Sequence, residues 1–130
     1  MRVFGTKNEK IIAFAEYVAA KLEIDAYPVD ILFEHESITG SDFGYTSGST
    51  DYAEVTIFRR IYGSKIDMEE MLQTIAHELV HAKQFLTGRL SLESMDYQWE
   101  GKKYNNENSI SSPWEIEATD LGEKLYNSHS

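Results

Sequence analysis

The chain has 130 residues, enough to bury a core in one ordinary domain without covalent staples, and its 42% hydrophobic and 26% charged composition is that of a folding globular protein. A net charge of −10 and a pI near 4.8 argue against partners bound through phosphate neutralisation, so neither nucleic acid nor an anionic membrane surface is expected. No cysteine is present, which excludes disulfides and Cys-ligated zinc ribbons and leaves His and carboxylates to hold any metal.

One domain over residues 1–130 is expected. The opening Met1-Arg2-Val3-Phe4-Gly5-Thr6-Lys7 lacks the apolar region of a secretory signal, and no apolar run approaches bilayer-spanning length, so a cytoplasmic protein is the expectation. Thr6 and Glu9 read as a capping box, and Ile11, Ile12, Phe14, Ala15, Val18, Ala19 and Leu22 recur at helical spacing, predicting a first helix over residues 7–23. Pro28 introduces the apolar run Val29-Asp30-Ile31-Leu32-Phe33, which is short enough for a strand. Turn chemistry at Gly40 to Gly44 and Ser47 to Thr50 leaves room for strands over 43–46 and 52–59. Along the latter, Val55 and Ile57 alternate with Glu54 and Thr56, the pattern of a half-exposed strand, here expected at a sheet edge.

Asp67 with Glu70 forms a second capping box, and Ile66 with Met71 a hydrophobic staple, so a second helix is expected from Met68 to Leu86, ending before Gly88. Residues 87–112 turn polar, with Trp99-Glu100-Gly101-Lys102-Lys103 reading as a hairpin or irregular loop. Ser112-Pro113-Trp114-Glu115 then combines an N-cap serine, a proline at the first helical position and Glu at the third, opening a helix over 113–126 with a fraying tail beyond.

The second helix carries the chemistry. Met68, Met71, Leu72, Ile75, Leu79, Ala82 and Leu86 form its apolar stripe, and His77-Glu78-Leu79-Val80-His81 lies beside that stripe. Spacing of i, i+4 stacks the two imidazoles one turn apart, so both can meet one metal ion while Glu78 flanks it. Shuffling this composition gives such a motif in roughly one chain in a hundred, so chance is a weak competitor.

His77-Glu78-Leu79-Val80-His81-Ala82-Lys83-Gln84 resembles the HExxH helix of the zincin metallopeptidases, most of all their small SprT-like and phage-type members. The resemblance implies an α+β fold, a minimal zincin-like domain in which a small, mostly antiparallel sheet packs on the HExxH helix. One helix would precede it and a ligand-bearing helix would follow. It also implies that His77 and His81 are Zn²⁺ ligands, that Glu78 is the catalytic general base, and that Gln84, about one turn past His81, supports the ligands. SprT proteins proper differ: they take a third histidine after the motif and often add a basic or zinc-ribbon DNA-binding region, whereas here the only later histidine is His129 in the tail.

A catalytic zinc takes three protein ligands and keeps an open position. Glu115-Ile116-Glu117-Ala118 resembles the Glu-x-x-Ala third-ligand helix of gluzincins, which points to Glu115, with Glu117 as its rival. On a helical wheel Trp114, Ala118, Leu121 and Leu125 form the buried stripe. Glu115 shares one flank with Thr119, Gly122 and Tyr126, small or semi-apolar residues that permit close helix packing, while Glu117 shares a solvated-looking flank with Asp120 and Lys124. Glu115 is favoured, although a Glu at that position also serves simply to cap the Ser112 amide.

Glu100, Glu107 and His35 are weaker candidates in loops, His35 reading more simply as a solvated histidine among acids. Tyr97, Trp99 and Tyr104 either line a cleft or pack under a loop. The function expected is a zinc-dependent metallohydrolase acting on a peptide or protein, in which Glu78 activates a zinc-bound water. The alternative is a zinc-binding interaction or regulatory protein of the same fold, without proteolytic activity.

Overall fold

The computed structural model describes residues 1–37, 42–104 and 110–129. In chain order they form β1 (Arg2–Phe4), α1 (Glu9–Lys21), β2 (Val29–Glu34), β3 (Gly44–Gly48), β4 (Ala53–Phe58), β5 (Arg60–Ile61), β6 (Ser64–Lys65), α2 (Met68–Leu86), β7 (Leu90–Glu93), β8 (Asp96–Trp99), β9 (Lys102–Tyr104) and α3 (Pro113–Ser128). The chain is α+β, with three helices and small sheets among the described residues. No helix among them is long and apolar enough to cross a membrane.

Local chemistry sets the helix starts. The Asp67 side chain accepts from the Glu70 amide at 2.8 Å and starts α2 where the capping box requires. α1 starts later than Thr6 suggests: Asn8 is the cap, its Oδ1 accepting from the Ile11 amide at 3.1 Å, while Thr6 Oγ1 accepts from the Asn8 amide at 3.2 Å and secures the turn ahead. α3 opens at Pro113 with Ser112 as its cap and runs on to Ser128, past the expected end at 126.

The sheet against α2 has the order β1-β2-β4-β3. It is mixed rather than mostly antiparallel: β1 pairs with β2 and β2 with β4 in parallel, and only β3 runs antiparallel, on β4. A parallel neighbour needs a crossover, and α1 supplies the one between β1 and β2. β4 is not an edge strand. It lies between β2 and β3, and Thr56 is buried along with Val55 and Ile57. Alternation of polar and apolar residues reports the two faces of a strand, not whether its in-plane neighbours are present, and here both are. Among the described residues the edges are β1 and β3.

The polar stretch after α2, read as hairpin or loop, contains an antiparallel meander β7-β8-β9, of which only the hairpin at Glu100-Gly101 was foreseen. The turn between β7 and β8 is made by Ser94 and Met95, with φ of 50° and 71°, a left-handed pair that neither residue type announces. Of the turn expected at 40–44, residues 40 and 41 lie outside the described residues.

The main core is formed by α1, α2 and the covered face of the sheet, with Phe14, Val18, Ile31, Val55, Ile57, Ile75 and Leu79 among its most buried members. A second cluster of Phe85, Leu90, Trp99 and Trp114 joins the end of α2 and the meander to the start of α3. α2 is thus packed against α1, the sheet, the meander and α3.

α3 crosses α2 at Gly122, where a Cβ would stand 3.1 Å from both the Cα and the amide nitrogen of His77. A Gly122→Val variant is therefore expected to lose about 1–3 kcal/mol in denaturant unfolding. Glu123→Ala, exposed on the next residue, should stay within roughly 0.5 kcal/mol of wild type.

Candidate metal centre

His77 and His81 project from adjacent turns of α2, their rings 4.9 Å apart at the centroids and nearly perpendicular. From the first turn of α3, Glu115 brings one oxygen, Oε1, to 3.1 Å from His77 Nε2 and 3.2 Å from His81 Nε2. Tetrahedral ligands on zinc bonds of about 2.1 Å stand roughly 3.4 Å from one another, so these separations match atoms that share one ion. His77, Glu78 and His81 also offer ligand atoms within 4.8 Å of one another, a group able to hold a metal. Both glutamates are therefore near the imidazoles, but they differ in contact: Glu115 Oε1 meets both Nε2 atoms directly, whereas Glu78 Oε1 accepts a 2.7 Å hydrogen bond from Thr46 Oγ1 on β3. The donor set, two imidazoles and a carboxylate with a second carboxylate at the flank, fits a zinc site.

Electrostatics follow burial and pairing. Burial pushes the Glu78 carboxyl above the ordinary glutamate range, against the pull of His81 and His77. Burial also opposes ionisation of Glu115, but the hydrogen bonds to His77 and His81 outweigh it and hold its carboxyl down at about 2. For His81 burial favours the neutral ring, yet the bond to Glu115 and the nearby Glu78 charge leave its value raised.

Glu117 does not join the metal group. Nor is its flank of α3 merely solvated: Arg89 Nη1 and Nη2 donate to its two oxygens at 2.9 and 2.8 Å, and Gln84 Nε2 donates to its Oε1 at 3.0 Å. Burial opposes ionisation of Glu117 and the Arg89 pair overcomes it, keeping the carboxyl low. The Arg89 guanidinium also lies over the Trp99 ring, 4.5 Å from its centroid, and donates to Glu100 Oε2 at 3.1 Å. Glu100 is accordingly engaged with Arg89 rather than with the imidazoles. His35 is exposed beyond β2, outside the group, and Glu107 lies outside the described residues.

A cleft of about 440 Å³ opens over the imidazoles. Gly44, Tyr45 and Thr46 of β3 form one wall, and Leu90, Tyr97 and Trp114 the other. Gly44 is required there, because a Cβ would stand 2.7 Å from the Thr56 carbonyl oxygen and 3.1 Å from Thr74 Cγ2 on α2. Tyr97 is stacked on Trp114 with ring centroids 5.1 Å apart, Tyr104 meets the same indole edge-on, and Trp99 is tilted against it. The three aromatics thus pack around Trp114, and of them only Tyr97 reaches the cleft. Thr46 and Arg89 were not foreseen as parts of the site. Each meets its partner across a long stretch of sequence, and neither belongs to a local pattern.

Comparison with known proteins gave no match: no family model fits the chain, and no curated protein or solved structure matches it. The fold and the side-chain geometry therefore define an α+β domain with a candidate metal centre.

The shifts fix a pH response for the metal-free protein. Glu115, about 2 against an ordinary 4.5, stabilises the fold above 4.5, and that contribution is lost as pH falls toward 2. His81, raised from 6.5, contributes fully below 6.5 and loses its contribution as pH rises through the folded value; Glu78, raised by burial, acts in the same alkaline direction. Thermal melts without metal should show greatest stability in mild acid. Added zinc should stabilise progressively more as pH rises, because imidazoles must be deprotonated to bind it.

Proposed function

We propose that this chain is a zinc-dependent metallohydrolase, and specifically a peptidase of zincin type, with His77, His81 and Glu115 as metal ligands and Glu78 as general base. The observation that carries the reading is the meeting of Glu115 Oε1 with both Nε2 atoms at 3.1 and 3.2 Å, with the Glu78 carboxylate on the flank of the same group. Zinc held by that donor set supplies Lewis acidity, polarising a carbonyl and making water acidic near neutral pH.

Glu78 takes the proton of the attacking water and passes it to the leaving amine, a task suited to a carboxyl whose affinity for protons burial has raised. Thr46 holds one oxygen of Glu78 by a hydrogen bond, and the other takes the proton. His77 and His81 stay neutral as ligands, and Glu115 supplies the negative charge that favours a divalent ion over a proton.

The extended substrate adds to β3. Among the described residues β3 pairs only with β4, so no strand of theirs covers its outer edge, and it forms a wall of the cleft beside Glu78. Main-chain pairing there would lay a peptide bond across the imidazoles.

The deciding experiment measures zinc content and hydrolysis of a denatured protein and a mixed peptide library by wild type and Glu78→Gln. The reading expects the variant to keep its zinc and to lose roughly 10²–10⁴-fold in rate, as removal of a general base does. Undiminished hydrolysis by the variant would sink the assigned mechanism. A fully zinc-loaded wild type that cleaves nothing would favour a zinc-binding regulatory protein instead.

A further inference from the structure

Gln84 is an amide 1% exposed, on α2, three residues after His81. All its polar atoms are engaged. Its Nε2 lies 3.0 Å from the Trp114 carbonyl oxygen and 3.0 Å from Glu117 Oε1, and its Oε1 lies 2.7 Å from His81 Nδ1. A backbone carbonyl can only accept, and a carboxylate paired with both terminal nitrogens of Arg89 is ionised and also only accepts. Both N–H groups of the amide are therefore committed to α3. The atom turned toward His81 is the oxygen, and an acceptor facing Nδ1 requires a proton on Nδ1.

We infer that Gln84 is a positioning residue that fixes His81 in the Nδ1–H tautomer, its own orientation dictated by the Trp114 carbonyl and the Glu117–Arg89 pair. The inference rests on the reading of His81 as a metal ligand. Glu115 Oε1 is also an acceptor and meets Nε2 at 3.2 Å, so a ring protonated on both nitrogens bridges the two; the shorter 2.7 Å contact to Gln84 keeps the proton on Nδ1 when one leaves, and Nε2 is then the nitrogen that faces Glu115 Oε1 and would meet an ion. His77 has no such partner on Nδ1 among the described residues, so the two imidazoles are held unequally.

The segment Trp114-Glu115-Ile116-Glu117 thus acts twice on the centre. Glu115 reaches the imidazoles directly, and its neighbours Trp114 and Glu117 set the amide that sets the ring of His81. A ligand from one helix and the tautomer of a ligand on another are fixed by the same turn of α3. Glutamate at position 84 would not replace glutamine: it has no N–H for Trp114 or Glu117, and it would place a second carboxylate beside Glu117.

The test is ¹⁵N NMR of the imidazoles in metal-free protein at alkaline pH, with zinc affinity measured alongside for Gln84→Met and Glu117→Gln. The expected spectrum has His81 protonated at Nδ1 and not at Nε2. Gln84→Met, close in volume but without the acceptor, should lose that preference and bind zinc about 10–100-fold more weakly. Glu117→Gln, which removes the obligate acceptor and frees the amide to flip, should weaken both effects by less. A wild-type spectrum with the proton on Nε2 would overturn the inference whether or not the variants fold, and so would an unchanged tautomer in folded Gln84→Met. The readout does not depend on hydrolysis: a protein that shows this tautomer and yet cleaves nothing supports the inference while ending the peptidase reading.

Discussion

The close crossing of α3 over α2 is the constraint on which the rest of the site depends. Gly122 lets the two backbones meet at His77, where even a methyl group would be crowded. Seven residues earlier on the same helix, that approach carries Glu115 into contact with both imidazoles. Had α3 been held away by a larger residue at the crossing, a flexible glutamate would have to span the gap at a cost in side-chain entropy. With the crossing tight, the carboxylate is delivered from a helix start whose backbone is already fixed by Pro113 and Ser112.

The crossing is also locked on its far side. Gln84 ties α2 to the first turn of α3, and Arg89, leading into the meander, ties Glu117 to the Trp99 ring. These polar contacts lie against the aromatic cluster around Trp114, where partial exclusion of water strengthens them. On the opposite side β3 closes over α2, with Gly44 admitting the backbone and Thr46 holding Glu78. The imidazoles and Glu78 are thus gripped from two directions, by β3, which precedes α2 in the chain, and α3, which follows it.

How much of this was legible depended on whether a contact was local. α2 was readable to its ends because Asp67 with Glu70 and the stripe through Ile75 and Leu79 are short-range signals. The flank of α3 on which Glu115 lies was readable because Pro113 fixed the helix phase and the wheel placed it with Gly122. The role of Glu117 was not, since its partner Arg89 lies 28 residues away and a helical wheel cannot see it. Thr46 meets Glu78 across 32 residues of sequence with no motif to mark it. β1 is three residues long, and β9 is largely two lysines and a tyrosine, so neither has an apolar pattern of its own. β4 was misplaced at an edge because its alternation describes faces, while its position in the sheet was decided by β3 folding back beside it.

The central claim is that Glu115, with His77 and His81, completes one zinc site. X-ray absorption at the zinc edge, on the wild-type protein and on Glu115→Ala, tests it most directly. The account predicts a four-coordinate ion with two imidazole nitrogens and oxygen donors, and a shell that loses a carboxylate oxygen or fails to retain zinc in the variant. An ion whose shell is unchanged by Glu115→Ala, or a wild type that takes up no zinc, would contradict it.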